Sequence, residues 1–355
     1  MRSILIAVLL IAWLRAPAVA GPRPSEDASY DPDAPVRSPA TPDSPWIDLA
    51  PAKVLSIRSE PTPDRRKLAS TLTLAGLYVG FVGWTYLAWY RVPTHAFKAG
   101  GDGDWRLWSE DGWFGKQRYA GGADKMGHAW ATLALARGGT ELLNQWGGYS
   151  RLEAAVIATT LSELLFLGVE IKDGFAYTFS YGDFTFNTLG ASLAFVQSMW
   201  PRFDELIDFR VQYGPSTRYR EKLRNDGDLD IAEDYSGQTY LLAFHLGGIH
   251  ALRDWRFGGW SRFVDVSFGF ESRGYKPDPP YKPSPEMPDY DKSQSTFIGL
   301  SFNAQGLFDY LLEGRSTPAR KILHGAFEVW SLPYTTLPLA NRTVTPVGEV
   351  PDEQN

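Results

Sequence analysis

Asp124, Lys125 and His128 fall within one five-residue stretch, Asp-Lys-Met-Gly-His, whose ends are spaced as neighbours on one helix face. Asp183 and Asn187 repeat that interval in Asp-Phe-Thr-Phe-Asn, and Glu163 and Glu170 lie two helical turns apart between them. An imidazole among carboxylates is the equipment of acid–base chemistry. His128 would give or take the proton, and Glu163 or Asp183 would orient it or ligate a metal. Lys125 would hold an anionic head group. The candidate catalytic set is therefore His128, Glu163 and Asp183, and the candidate binding set is Asp124, Lys125, Glu170 and Asn187. The same residues support a plainer reading, in which Lys125 and His128 neutralise the acids and lock helices in register. A single motif histidine without cysteine leaves the metal unspecified, and no cofactor is named.

Each of these groups sits on an apolar, helix-like segment: 124–145, 152–171 and 183–200. An ionisable side chain in an apolar setting costs about 2.5–3.5 kcal/mol on insertion scales, so the three polar stripes are expected to turn toward one another and form one interior pocket. The order Asp-Lys-x-x-His, a Glu after an apolar run, then Asp-x-x-x-Asn-x-x-Gly resembles the YfiM-like family of bacterial envelope proteins and, more distantly, the VanZ-like membrane proteins. The resemblance covers residues 66–200. It implies a small helical, membrane-associated core in the bacterial envelope, with Asp124, Lys125, His128, Glu163, Glu170, Asp183, Asn187 and Gly190 as the positions that carry over. Some members of that family look like lipoproteins. This chain has no Cys, so an anchor through one is not expected.

The rest of the chain organises around that core. Residues 1–20 read as a signal peptide, with Arg2, an apolar run and Ala18-Val19-Ala20. Residues 21–65 read as a Pro-rich disordered linker in which Trp46-Ile47-Asp48-Leu49 is the one docking patch. A helical membrane-associated domain is expected over 66–201. It opens with the uncharged stretch 68–90, long enough for a transmembrane helix, in which Gly76, Gly80 and Gly83 allow close helix approach. Trp105, Trp108, Trp113 and Phe114 are expected to form a lip over the pocket. Residues 202–235 read as a connecting segment, part helical. From 236 to 335 the apolar period changes to two, as in Phe263-Val264-Asp265-Val266-Ser267-Phe268, which marks half-buried strands. Four or so strands are expected, at 238–248, 263–270, 297–302 and 324–332, with an exposed proline loop at 277–288 and a loose tail at 336–355. His95, His245, His250 and His324 lack partner motifs and read as ordinary.

The fold class is thus α+β: a helical bundle followed by an antiparallel β-rich region. A net charge of −6 argues against nucleic-acid binding, and the absence of Cys excludes disulfides and thiol chemistry. No phosphate loop, dinucleotide fingerprint or nucleophile elbow is present. The chain reads as an exported bacterial envelope protein, at the outer membrane or periplasmic face. Its expected role is structural or in binding membrane lipid or an envelope protein partner. The alternative is a membrane-embedded hydrolase or phosphoryl-group enzyme acting on a lipid or lipid-linked precursor.

Overall fold

The computed structural model describes residues 64–99, 114, 120–227, 230–256, 258–275, 292–314, 317–339 and 343–346. The signal peptide, nearly all of the linker with its Trp46 patch, three of the four lip aromatics (Trp105, Trp108, Trp113) and the proline loop lie outside those residues. Four long helices come first: α1 (Asp64–Ala88), α2 (Ala123–Glu141), α3 (Arg151–Ala176) and α4 (Tyr181–Met199). Their ends follow local chemistry. Ser150 and Glu153 cap α3 reciprocally as a capping box, and Ser180 accepts from the Asp183 amide at the start of α4. Gly121 and Gly122, at φ 56° and 82°, make the left-handed turn into α2. Alpha-4 ends where Pro201 follows Trp200.

The bundle is assembled by small residues. A Cβ on Gly190 would lie 2.1 Å from the carbonyl oxygen of Ala129, so α2 and α4 approach as closely as their backbones allow. Alpha-1 runs along α3, with Leu74 buried against Leu142, Leu143 and Ala154 and the rings of Phe81 and Phe166 5.7 Å apart. Alpha-1 and α3 are long and apolar enough to cross a membrane by length and composition. Leu68, Leu72, Val79 and Val82 of α1 are exposed.

The second half is a curled sheet in the order β5-β1-β2-β3-β4-β6, with β7 also on β4. Its strands are β1 (Ile207–Tyr213), β2 (Gln238–His245), β3 (Val264–Arg273), β4 (Ser293–Phe302), β5 (Trp330–Ser331), β6 (Thr336–Pro338) and β7 (Thr343–Pro346). All pairings are antiparallel except β1 with β5. The amide of Gln212 on β1 donates to Thr336 on β6 at 2.9 Å, drawing the two ends of the curl together. The α+β class holds. Three helices join the sheet: α5 (Thr217–Asp226), α6 (Ala304–Leu311) and α7 (Pro318–Val329).

Several expectations are corrected here. Beta-1 lies inside the stretch read as a connector: its alternate residues Asp208, Arg210 and Gln212 are charged or polar, yet they point into the curl and are buried. Residues 324–329 are helix rather than strand, because Thr317 caps and Pro318 opens α7. Two strands, β6 and β7, fall at the start of the segment read as a loose tail, and the sheet has seven strands rather than four.

Candidate functional site

Six of the seven candidate residues meet where α2, α3 and α4 cross. Lys125 Nζ lies 2.9 Å from Asp183 Oδ1 and 3.4 Å from Asp124 Oδ2. His128 Nδ1 faces Asn187 Oδ1 at 3.1 Å and Glu170 Oε1 at 3.2 Å. Asn187 completes the link by donating to Glu170 at 3.0 Å, while Thr132 donates to Asn187 Oδ1 at 3.0 Å. Asp124, Lys125, Glu170, Asp183 and Asn187 are buried, and His128 is 18 % exposed.

Glu163 does not join them. It is half-buried and accepts from Thr188 at 2.7 Å, on a groove between α3 and α4 shared with Thr159 and Trp200. Glu163 and Glu170 have the same azimuth on α3, but seven residues are about 10 Å along the axis. Ser162, one residue earlier, is the group that faces α2, donating to the Thr132 carbonyl at 2.8 Å.

The electrostatics follow from burial. Burial pushes the Glu170 carboxyl well above its ordinary range, opposed by the neighbouring His128. Burial also raises Asp183, and the neighbouring charge of Asp124 adds to the rise, opposed by His128 and Lys125. For His128 burial acts downward, but the carboxylates of Asp183, Glu170 and Asp124 outweigh it and lift the imidazole to about 9. The cluster thus sets two basic side chains, Lys125 and His128, among the carboxyl groups of Asp124, Asp183 and Glu170. Asp124, His128 and Asp183 each offer one donor atom, all within 4.8 Å of one another, a set that could hold a metal ion. The Lys125 ammonium already stands beside two of those three groups and supplies the positive charge that a cation would bring.

Tyr235 is a member the sequence did not disclose. Its hydroxyl donates to Asp124 Oδ1 at 2.9 Å, from the 3-10 turn that precedes β2. A tyrosine 111 positions away carries no local spacing signal. The other side of His128 opens on a cavity of about 470 Å³, walled by Phe81, Trp84, Trp89, Trp130, Phe166 and Trp330. Of the expected aromatic lip, Phe114 is described, and it packs inward between Phe186 and Phe270. His128 and Asp124 both line this cavity, and His128 Nε2 pairs with Asp124 Oδ1 at 3.6 Å, longer than a hydrogen bond.

Histidines read as ordinary turn out to anchor two further networks. Inside the curl His245 Nδ1 meets Asp265 at 2.8 Å and Nε2 meets Asp208 at 2.9 Å. Arg210 bridges the same acids at 2.6 and 3.1 Å, and Asn303 donates to Asp265 at 2.8 Å. Burial would lower His245, but Asp208 and Asp265 raise it to about 9. On α7, His324 spans Asp309 at 2.7 Å and Glu328 at 3.0 Å, and Glu328 in turn pairs with Arg137 of α2 at 2.8 Å. A second cavity, about 520 Å³, borders His245 and His324, but its charges are paired: Arg320 with Asp309, Arg262 with Glu313, and Glu205 with Arg202 and His250 outside the cavity wall.

Residues 110–199 match the family described as a predicted periplasmic lipoprotein (DUF2279). The match takes in the whole of α2, α3 and α4, and so every helical residue of the cluster. No curated protein and no solved structure matches the chain. The family description agrees with the export signal read in the sequence: the chain is an exported protein of the bacterial envelope, on its periplasmic or outer-membrane face.

Proposed function

We propose that this protein binds an amphiphile of the envelope, a membrane lipid or lipid-linked precursor, with the apolar body in the aromatic cavity and an oxygen-bearing end at His128. The observation that carries the reading is that His128, whose Nε2 is held only at 3.6 Å by Asp124, lines a cavity walled largely by aromatic rings. A cavity of a few hundred Å³ with few polar groups is the usual form of a small-molecule site. The Asp124–Lys125–Asp183–Glu170–Asn187 network then serves to hold His128 protonated and in one orientation. On this reading the YfiM-like motif, Asp-Lys-x-x-His with Asp-x-x-x-Asn-x-x-Gly, is a means of building that holder, and the exposed apolar side of α1 lies against lipid.

Four tryptophans wall the cavity, so binding can be read from their emission. Titration of the delipidated protein with dodecanoate is expected to shift that emission saturably, and dodecyltrimethylammonium, with no acceptor oxygen, is expected to fail. Ala131→Leu, which fills the cavity, should abolish the shift, and His128→Gln should weaken it about tenfold, the worth of one charge-assisted hydrogen bond. Equal response to both amphiphiles, or indifference to both substitutions, would overturn the proposal.

The three convergent donor atoms of Asp124, His128 and Asp183 favour a second reading, hydrolysis or phosphoryl transfer on the same lipid class. It requires a metal to displace Lys125 from between its acids. Calorimetric titration with zinc at neutral pH tests it: no saturable heat that disappears in Asp183→Asn would remove this alternative.

A further inference from the structure

The sheet is built inside out for a protein surrounded by water. Its inner face carries Asp208, Arg210, Gln212, His245, Asp265 and Glu271, all buried. Its outer face is apolar, and the strand registers place those residues in rows. One row is Ile207, Phe244, Val266, Leu300 and Leu337, and the next is Phe209, Leu242, Phe268 and Ile298. No charged side chain interrupts either row. Toward Tyr240 and Phe270 the face is covered by the start of α2, through Ala123 and Met126. Away from α2 it is open: Phe268 is 49 % exposed, Ile298 53 % and Leu337 68 %. Large, contiguous apolar patches are uncommon on soluble monomers and mark contact surfaces.

The surroundings of the rows select the occupant. Past Val264 and Phe302, the connection from β2 to β3 places Trp255, Trp260 and Ile249 at the surface, with Arg256 exposed beside them and the half-buried Arg253 and Arg262 paired with Asp254 and Glu313. Tryptophan beside arginine at the edge of an uncharged surface suits the boundary between acyl chains and anionic head groups. A protein partner would instead be met by hydrogen-bonding groups scattered among the apolar ones. Polar-in, apolar-out alternation is also the pattern of strands that face lipid.

We propose that the outer face of β2, β3, β4 and β6 docks on an anionic lipid bilayer, with Phe244, Phe268, Ile298 and Leu337 entering the acyl boundary and the Trp255–Arg262 connection lying in the head-group layer. This deepens the lipid-binding reading by assigning the membrane contact, and it can fail independently of the cavity.

The chain has no cysteine, so single labels are straightforward. Full-length protein carrying Ile298→Cys or Leu337→Cys is labelled with an environment-sensitive nitrobenzoxadiazole dye and mixed with vesicles of phosphatidylcholine and phosphatidylglycerol. Glu221→Cys on α5 is the control. The sheet labels are expected to brighten, shift to the blue and be quenched by lipids brominated on the acyl chain, while the control stays in water. Phe268→Asp with Ile298→Asp should lower vesicle binding at least about tenfold, since both apolar side chains are lost from the acyl boundary. The dodecanoate response of that double variant should persist, which separates this proposal from the cavity. Vesicle-bound protein whose sheet labels remain in water would show attachment through α1 instead and would overturn the proposal. So would Ile298→Cys chains that cross-link to one another before vesicles are added, since a second copy would then cover the face.

Discussion

His245 and His128 are both held protonated by acids, to about 9 in each case, yet they sit in opposite kinds of network. Both ring nitrogens of His245 are taken, at 2.8 and 2.9 Å, and Arg210 closes the same two carboxylates from the other side. Two cations meet two anions, and the strands β1, β2 and β3 are thereby pinned in register. His128 has one nitrogen engaged by Asn187 and Glu170 and the other only in a 3.6 Å pair with Asp124, and it borders the aromatic cavity. A buried charge set that is fully satisfied organises a fold. A loosely held group beside a cavity is where a ligand can compete.

The comparison can be broken most directly in the sheet. Arg210→Met leaves two buried acids, Asp208 and Asp265, with only one of their two shared cations and is expected to cost about 3–5 kcal/mol of unfolding free energy in a urea titration. A loss below about 1 kcal/mol would show that the curl does not depend on its interior charges.

Alkaline pH acts next. A histidine whose folded value is raised from 6.5 to about 9 contributes stability that is complete below the unfolded value and is lost as pH rises through the folded one. Unfolding free energy should therefore hold up to about pH 6.5 and decline toward pH 9, by at most about 3 kcal/mol for each ring. His245→Gln should lose much of that slope along with stability. If the slope is unchanged in His245→Gln, the imidazolium assignment inside the curl is wrong.

His128→Gln is expected to cost less, about 1 kcal/mol, because a glutamine amide can keep a hydrogen bond to Asn187 or Glu170. Its larger effect should be on the amphiphile titration. A stability loss as large as that of Arg210→Met would make the two networks alike and assign His128 to scaffolding. Glu163→Gln should be smallest: under about 0.5 kcal/mol in urea, with no change in ligand response, since Thr188 can still donate to the amide oxygen. A change in dodecanoate binding there would return Glu163 to the site.

Much of the site was legible before the structure, and the case of Glu163 marks the limit. Four-residue intervals such as Asp124 to His128 describe both a shared face and a short axial distance, so they survive folding as contacts. A seven-residue interval keeps the face and loses the distance, and Glu163 ended beside Thr188 while Glu170 met His128 and Asn187. Tyr235 reaches Asp124 from the far half of the chain, where no periodicity refers to α2. Beta-1 alternates as a strand should, but its polar residues face the interior, so the usual inference from charge to solvent reversed its burial.

By itself the sequence determined the α+β class, the three apolar helices with their polar stripes, the change of period after residue 236 and the envelope location, because each rests on composition, local spacing or chain order. Tertiary structure alone decided that the sheet curls with its charges inward, that His245 is a clasp while His128 borders a cavity, and that tryptophans from α1, α2 and β5 converge on that cavity. Those outcomes depend on which faces meet across long stretches of chain, and helix and strand periods specify a face without naming its partner.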